Sequence, residues 1–237
     1  MENIEMRLAA KDWQAITTEL HDKGFVIVRD VMHRQECDAL IAAYGASDTY
    51  RKTISMQRYR FGRGEYKYFR YPLPGLITAL REKVYAEIAP VANQWMQELR
   101  IDNRFPATHQ EMKKRCWEYG QREPTVLILK YGEGDFNTLH RDLYGEVYFP
   151  LQAVFMLNQV GKDYTGGEFV ITEQIPRAQS KANVLTPDRG DMVIFTTNFR
   201  PENGTRGHYR VQMRHGVSPL HGGNRHSLGI LFHDGLS

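Results

Sequence analysis

Long apolar runs and cysteines are the two features that this 237-residue sequence has least of. No stretch is apolar enough over a sufficient length to cross a bilayer as a helix, and residues 1–10 lack the apolar region of a signal peptide. The two cysteines, Cys37 and Cys116, are too few for the disulfide framework of a small secreted protein. We therefore expect a cytoplasmic protein with no membrane partner.

An excess of charge of one sign is also missing, as are repeats and low-complexity segments. Lysine and arginine number 31 against 28 aspartates and glutamates, which leaves a net charge of +3. This balance permits a nucleic-acid partner but does not indicate one. A hydrophobic content of 41% and a charged content of 25% are ordinary for a globular protein, and this length can bury one substantial core. We predict a single domain over residues 1–237 and make no prediction of its oligomeric state.

The hydrophobic pattern of the sequence changes near residue 124, from helical periodicity to short apolar segments separated by turn residues. Helices are predicted at residues 12–20, 33–44, 74–99 with an interruption at Pro90, and 108–119. Strands are predicted at residues 25–28, 126–129, 149–157, 167–172, 192–196 and 227–232. This order indicates an α+β fold in which a mostly helical part, residues 1–123, packs on a jelly-roll, cupin-like core over residues 124–237.

The most informative motif is His140-x-Asp142, together with His215 far downstream. Side chains two apart on a strand share a face, so His140 and Asp142 can point at one atom. Two histidines and a carboxylate on one side of a metal form the facial triad of non-haem Fe(II) oxygenases. His215 is the preferred third ligand over the histidines at positions 208, 221 and 226, because two of those lie in glycine-containing segments and one alternates with Arg225.

Arg225 and Ser227 form a second motif near the end of the sequence. They share a strand face by the same rule, and a guanidinium beside a hydroxyl suits a carboxylate ligand. The sequence therefore predicts a metal site and a carboxylate site that act together.

The order and spacing of these residues resemble the Fe(II)/2-oxoglutarate-dependent dioxygenase superfamily over residues 124–234. The matching positions are Tyr131, Gly134, His140, Asp142, Gly166-Gly167, His215 and Arg225. The whole chain further resembles a little-characterised bacterial subfamily that has been linked to the oxidation of damaged nucleic acid. The shared phrases are residues 60–66 and 142–146.

The resemblance implies a double-stranded β-helix and a definite set of roles. His140, Asp142 and His215 would bind Fe(II), while Arg225, Ser227 and Tyr131 would hold the distal carboxylate of the cosubstrate 2-oxoglutarate. With O2 as the second cosubstrate, the enzyme would release succinate and CO2 and hydroxylate a C–H bond. We expect a small-molecule substrate, which could be an anion.

Oxidative demethylation of alkylated nucleic-acid bases is the alternative reaction. The spacing from Tyr131 through Gly134 to His140 resembles the alkylated-base repair dioxygenases, but Leu231 stands where that family has a second arginine. The spacing from His215 to Arg225 is closer to prolyl and small-molecule hydroxylases.

The basic and aromatic segment 57–71 is the other clue to the substrate. It could hold a single-stranded nucleic acid, line a pocket for an anionic small molecule, or form an exposed hairpin around Gly62 and Gly64. The substrate-contacting candidates are Arg63, Tyr66, Arg141, Tyr144 and Arg210.

Two further interpretations stay open. Gly134, His140 and Glu146 have roughly the spacing of a cupin metal motif, so an iron dioxygenase without 2-oxoglutarate is one of them. A non-catalytic barrel that binds a ligand is the other, and turnover of 2-oxoglutarate would separate it from an oxygenase.

Overall fold

The computed structural model describes residues 2–143 and 145–236. Six α-helices lie in these residues: α1 (Ile4–Ala9), α2 (Trp13–Lys23), α3 (Arg34–Ala42), α4 (Met56–Tyr59), α5 (Gly75–Glu98) and α6 (His109–Glu118). Short 3-10 turns follow α3 at Ala43–Gly45 and Ser47–Thr49. None of the helices in the described residues combines the length and apolarity needed to cross a bilayer.

The helices begin and end at sequence signals. Asp12 accepts a hydrogen bond from Ala15 N at the start of α2, and Gly24 ends that helix with a φ of 76°. The prediction of an interruption at Pro90 is wrong, because α5 runs through this residue without a break. Pro90 lies on the solvent side, and burial of eleven other side chains of α5 offsets the cost of about 3 kcal/mol for an internal proline.

The described residues contain fifteen strands. They are β1 (Phe25–Val28), β2 (Tyr50–Ser55), β3 (Gly62–Arg63), β4 (Glu65–Phe69), β5 (Leu127–Tyr131), β6 (Phe136–His140), β7 (Leu151–Met156), β8 (Tyr164–Gly166), β9 (Phe169–Gln174), β10 (Lys181–Leu185), β11 (Met192–Thr196), β12 (Phe199–Gly204), β13 (Gly207–Val217), β14 (Leu220–Gly223) and β15 (Arg225–Leu231).

Two antiparallel sheets face each other and form the double-stranded β-helix, or jelly roll. The larger sheet has the order β1-β11-β7-β15-β5-β4-β2, and the smaller has the order β10-β9-β13-β6-β3, with β12 paired to β13. Strands β8 and β14 form a separate pair. The α+β fold class predicted from the sequence is confirmed.

The N-terminal part contributes more strands than the sequence indicated. Strands β1, β2 and β4 extend the larger sheet and β3 extends the smaller one, so residues 1–123 help to build both walls of the barrel. The segment 57–71 crosses from one sheet to the other. Gly62 allows this crossing, because it has a φ of 137° and any Cβ there would collide with Phe136 O of β6.

Strand β7 shows how the core is divided. Leu151, Ala153 and Phe155 pack with the helices on the outer face of the larger sheet. Val154 and Met156, on the opposite face, pack in a second apolar cluster between the two sheets. The functional side chains described below enter the space between the sheets from the inner faces of both sheets.

Candidate metal and cosubstrate site

Three potential metal ligands meet on the inner face of the smaller sheet. One ligand atom from each of His140, Asp142 and His215 lies within 4.8 Å of the others. His140 and His215 are directly paired residues of β6 and β13, and their ring centroids are 4.2 Å apart. Asp142 Oδ2 lies 3.2 Å from His215 Nε2, and Asp142 Oδ1 lies 3.6 Å from His140 Nε2.

The way in which Asp142 reaches this cluster differs from the expected one. Strand β6 ends at His140, so the two residues do not share the face of one regular strand. Asp142 is instead held by a hydrogen bond of 3.2 Å from its backbone N–H to Thr197 O. His215 lies within β13, and its rivals His208 and His221 also lie in strands rather than in the loops that their glycine neighbours suggested.

The protonation states of His140 and Asp142 suit a cation. Burial lowers the pKa of His140, and the nearby His215 lowers it further, so the imidazole is neutral near pH 7. Burial alone would raise the pKa of Asp142, but hydrogen bonding and charge from His215 hold it well below its usual range. His140 Nδ1 lies 2.7 Å from Thr138 O, an acceptor that would leave Nε2 free to bind a metal.

Gln152 completes the cluster, and the sequence analysis did not identify it. Its side-chain Nε2 donates to Asp142 Oδ2 at 2.9 Å and lies 3.5 Å from His215 Nε2. The available signal was a single polar residue inside the otherwise apolar strand β7.

A buried arginine lies at one end of the space between the sheets. The Arg225 side chain is 1% exposed, and within the described residues its guanidinium donates only to Ser227 Oγ and Met156 Sδ, both at 3.4 Å. Tyr131 pairs with Arg225 across β5 and β15, and the guanidinium carbon lies 5.5 Å from its ring centroid.

These groups leave hydrogen-bonding capacity that the described residues do not satisfy. Arg225 Nε and the Tyr131 hydroxyl are buried and have no hydrogen-bond partner among the described residues. Burial raises the pKa of Tyr131 to about 12, so its hydroxyl keeps the proton that it can donate. Because an uncompensated buried guanidinium is costly, this end of the space fits a carboxylate ligand.

A cavity of about 540 Å³ connects the two groups of residues. Its lining includes the metal-binding candidates, Gln152, and the Arg225, Ser227 and Tyr131 group. Apolar side chains such as Val154, Phe169 and Phe195 form much of the remaining wall between them. A ligand held by the arginine could therefore extend to the metal-binding candidates without crossing solvent.

The candidate substrate residues are distributed unevenly around this cavity. Tyr66 and Arg141 line it, and Arg141 donates to Asn198 Oδ1 and Gln212 Oε1. Arg63 is exposed and lies 3.8 Å from Asp135 Oδ1.

The structure does not bring Arg210 to the cavity: this residue is exposed, with its guanidinium 4.9 Å from the Phe199 ring. The remaining candidate, Tyr144, lies outside the described residues.

The segment 57–71 does not form the expected hairpin around Gly62 and Gly64, because β3 and β4 belong to different sheets. Phe61 and the rings of β4, Tyr66 and Tyr68, line the cavity. Tyr59 and Phe61 are 47% and 43% exposed and stack on each other with centroids 5.6 Å apart. The segment therefore forms both a wall of the cavity and an exposed rim beside its opening.

Comparisons with known proteins agree with this geometry. The sequence profile of the family Oxygenase-NA, described as an oxygenase catalysing oxidative methylation of damaged DNA, matches residues 64–235. Two uncharacterized proteins of Mycobacterium tuberculosis, from strains CDC 1551 / Oshkosh and ATCC 25618 / H37Rv, are each 34% identical to this chain over 222 residues. Each alignment covers 94% of this chain and 90% of the relative.

Solved structures share the fold at low sequence identity. A Pseudomonas putida prolyl-4-hydroxylase is 16% identical with a TM-score of 0.58, and the match covers 94% of this chain and all of the other. A 2OG-Fe(II) family oxidoreductase from Burkholderia pseudomallei is 15% identical with a TM-score of 0.54, and the match covers 95% and 93% of the two chains. A Trichoplax adhaerens prolyl hydroxylase is 15% identical with a TM-score of 0.57, with coverage of 96% and 95%.

Proposed function

We propose that this chain, which belongs to the Oxygenase-NA family of Fe(II)/2-oxoglutarate-dependent oxygenases, hydroxylates a C–H bond of a small molecule held in its central cavity. Its fold and its His-Asp-His cluster indicate Fe(II) with 2-oxoglutarate and O2 as cosubstrates. The observation that carries the proposal is one cavity lined by the three-ligand cluster and by a buried arginine whose hydrogen-bonding capacity is incompletely satisfied.

The residue roles follow from the donor chemistry. His140, Asp142 and His215 would hold Fe(II) through two imidazole nitrogens and one carboxylate, which suit this metal. Bound Fe(II) supplies the activation of O2, coupled to oxidation of 2-oxoglutarate to succinate and CO2. A metal-binding imidazole must be neutral and correctly oriented: burial keeps His140 neutral, and Thr138 O orients its ring.

Arg225, Ser227 and Tyr131 bind and orient the distal carboxylate of 2-oxoglutarate. The guanidinium supplies charge and directional donors, and the Tyr131 hydroxyl supplies a further donor that has no partner among the described residues. Because these groups are buried beside apolar walls, the carboxylate would be bound away from water, where such hydrogen bonds are strongest.

An anaerobic titration tests this proposal. Adding 2-oxoglutarate to the Fe(II)-loaded protein should produce a weak visible charge-transfer band, and His215→Ala should abolish it by removing a ligand. His221→Ala is the matched control, because it removes an exposed histidine from β14 and should retain the band. Iron binding without a band would favour a cupin-type enzyme, and failure to bind iron would favour a non-catalytic barrel.

A nucleic-acid base is the second candidate substrate. The exposed, stacked rings of Tyr59 and Phe61 could stack on bases, and Arg58, Arg60 and Arg63 are exposed on the same segment, where they could contact phosphates. The family description supports this candidate. Leu231, which lines the cavity where the alkylated-base repair enzymes have an arginine, does not.

The salt dependence of binding separates the two candidates. If the substrate is nucleic acid, affinity for a single-stranded oligonucleotide with an alkylated base should fall steeply with salt. Arg58→Ala or Arg63→Ala should then each reduce the slope by about one unit. A flat salt response in the wild-type protein would remove this candidate.

A further inference from the structure

The cavity has a second end, away from Arg225. Arg225 and Leu231 are the two ends of β15 and both line the cavity, so it follows this strand for about 20 Å. Gln152, which bonds Asp142, pairs with Leu231 on the neighbouring strand. The proposed binding of Fe(II) and 2-oxoglutarate therefore leaves the end of the cavity around Leu231 and Tyr68 without a ligand.

Arg51 is a cation of this far end. Its side chain is 13% exposed, and its guanidinium carbon lies 4.6 Å from the centroid of the Tyr68 ring. Stacking on an aromatic ring fixes the plane of a guanidinium and leaves its edge available for an anion. Both residues line the cavity.

The present partners of Arg51 balance its charge only weakly. Its Nη2 donates to Pro124 O at 3.3 Å, and its Nε lies 3.6 Å from the carboxylate of Glu123, whose side chain is 46% exposed. Within the described residues, Nε has no hydrogen bond. The buried Arg81, in contrast, has a carboxylate partner at 2.8 Å, which shows how a fully paired arginine of this protein is arranged.

Gly229 leaves the space that a substrate would need at this end. It lies on β15 between Ser227 and Leu231, on the inner face, and it lines the cavity. A Cβ there would meet Leu127 at 3.4 Å, which is ordinary van der Waals contact, and the backbone does not require glycine. A larger side chain at this position would therefore fill the cavity without straining the strand.

We propose that the end of the cavity around Gly229 and Tyr68 is the substrate subsite, and that Arg51 binds an anionic group of the substrate there. The group is a carboxylate or a phosphate. This inference rests on the proposed oxygenase function and adds a specificity-determining residue to it.

Calorimetric titration with simple probes tests the proposal. The protein is loaded with Fe(II) and 2-oxoglutarate without oxygen, so that the Arg225 end is filled, and is titrated with phenylacetate, phenyl phosphate and the neutral phenylacetamide. A charged hydrogen bond contributes about 1.5 to 3 kcal/mol, so we expect the preferred anion to bind about 10- to 100-fold more tightly than the amide. Whether phenylacetate or phenyl phosphate binds more tightly identifies the anionic group.

Three variants assign the effect to its residues. Arg51→Gln should abolish the preference for the anion, whereas Lys52→Gln, which removes the same charge from the exposed neighbouring residue, should preserve it. Gly229→Val should weaken the binding of anion and amide alike, because it fills the space. Equal affinity for all probes in the wild-type protein, or an anion preference that survives Arg51→Gln, would overturn the proposal.

The charge-transfer band tests the proposed oxygenase function independently of the substrate subsite. The band should form in the wild-type protein and in Arg51→Gln, since Arg51 contacts neither the metal candidates nor Arg225. If the band forms but Arg51→Gln retains the anion preference, the subsite is refuted and the oxygenase function stands. If no band forms in the wild-type protein, the oxygenase function and the inference that depends on it both fail.

Discussion

The side-chain amide of Gln152 donates a hydrogen bond of 2.9 Å to Asp142 Oδ2. Both residues are buried, and the amide also lies 3.5 Å from His215 Nε2. This hydrogen bond restricts the rotation of the Asp142 carboxylate before a metal binds. Metal binding therefore loses less side-chain entropy at Asp142.

Replacing Gln152 should therefore weaken iron binding without abolishing it. We expect Gln152→Leu to lower the affinity for Fe(II) by about 10- to 100-fold, the usual effect of removing a partner of a metal ligand. Anaerobic titration of Fe(II) against a competing chelator measures this change. Gln94→Leu, an exposed replacement on α5, is the control, and wild-type affinity in Gln152→Leu would show that the hydrogen bond does not orient Asp142.

Replacing Arg225 should separate binding of 2-oxoglutarate from binding of iron. Losing one member of a buried charged pair costs about 2 to 5 kcal/mol, so Arg225→Met should raise the Kd for 2-oxoglutarate by about 30-fold or more. The affinity for Fe(II) should be unchanged, because Arg225 is not among the three clustered ligands.

Thermal unfolding provides a second measurement on the same variant. 2-Oxoglutarate should raise the Tm of the Fe(II)-loaded wild-type protein by mass action, and Arg225→Met should reduce this rise. Arg206→Met, at an exposed position, should keep it. An equal rise in Tm for Arg225→Met and the wild-type protein would place the 2-oxoglutarate carboxylate elsewhere.

Sequence reasoning identified two motifs of short, fixed spacing and, far downstream of the first motif, the ligand candidate His215. His140-x-Asp142 is a weak signal alone, and the order of Tyr131, Gly134, His215 and Arg225 around it made the site recognisable. The strand argument for the first pair was nevertheless incomplete, since β6 ends at His140 and Thr197 O positions Asp142. The sequence thus predicted that His140 and Asp142 lie together, but not the backbone conformation that brings them together.

The parts that sequence reasoning missed depend on pairing between distant segments. Arg51 lies at a register shift between Tyr50 and Lys52 in the pairing of β2 with β4, and such a bulge redirects a side chain without leaving a clear sequence signal. The sequence likewise did not predict that residues 62–69 form strands in both sheets, because their basic and aromatic composition is also typical of an exposed hairpin. Their alternation of rings, Tyr66 and Tyr68, was the available sign of a strand.

Loss of either partner of the buried pair Arg81 and Asp234 should destabilise the protein strongly. Asp234 accepts hydrogen bonds from Arg81 Nη2 at 2.8 Å and from Tyr71 and Trp117 at 3.0 Å. Asp234→Ala leaves the buried guanidinium without its anion, which should lower the free energy of unfolding by about 3 to 5 kcal/mol. Urea denaturation measures this loss.

A double-mutant cycle distinguishes pairing from simple loss of packing. Arg81→Met combined with Asp234→Ala removes both charges, so its cost should be clearly smaller than the sum of the costs of Arg81→Met and Asp234→Ala alone. Strictly additive costs would show that Arg81 and Asp234 do not stabilise each other.

His109 should make the protein less stable in mild acid. Its Nε2 lies 3.1 Å from Phe232 O, and burial, with a smaller effect of Arg81, lowers the pKa of the imidazole from 6.5 to about 2. Between these two values the unfolded chain binds a proton that the folded protein does not. Stability from this residue is therefore complete above about pH 6.5 and is lost as the pH falls, by about 2 kcal/mol at pH 5.

The comparison of urea denaturation at pH 7.5 and pH 5.0 tests this directly. His109→Gln keeps a side-chain donor for Phe232 O but cannot titrate, so its loss of stability between the two pH values should be about 2 kcal/mol smaller than that of the wild-type protein. His221→Gln, which removes an exposed histidine, should keep the wild-type loss. If His109→Gln and the wild-type protein lose stability equally, His109 is not held neutral by burial and other groups dominate the acid response.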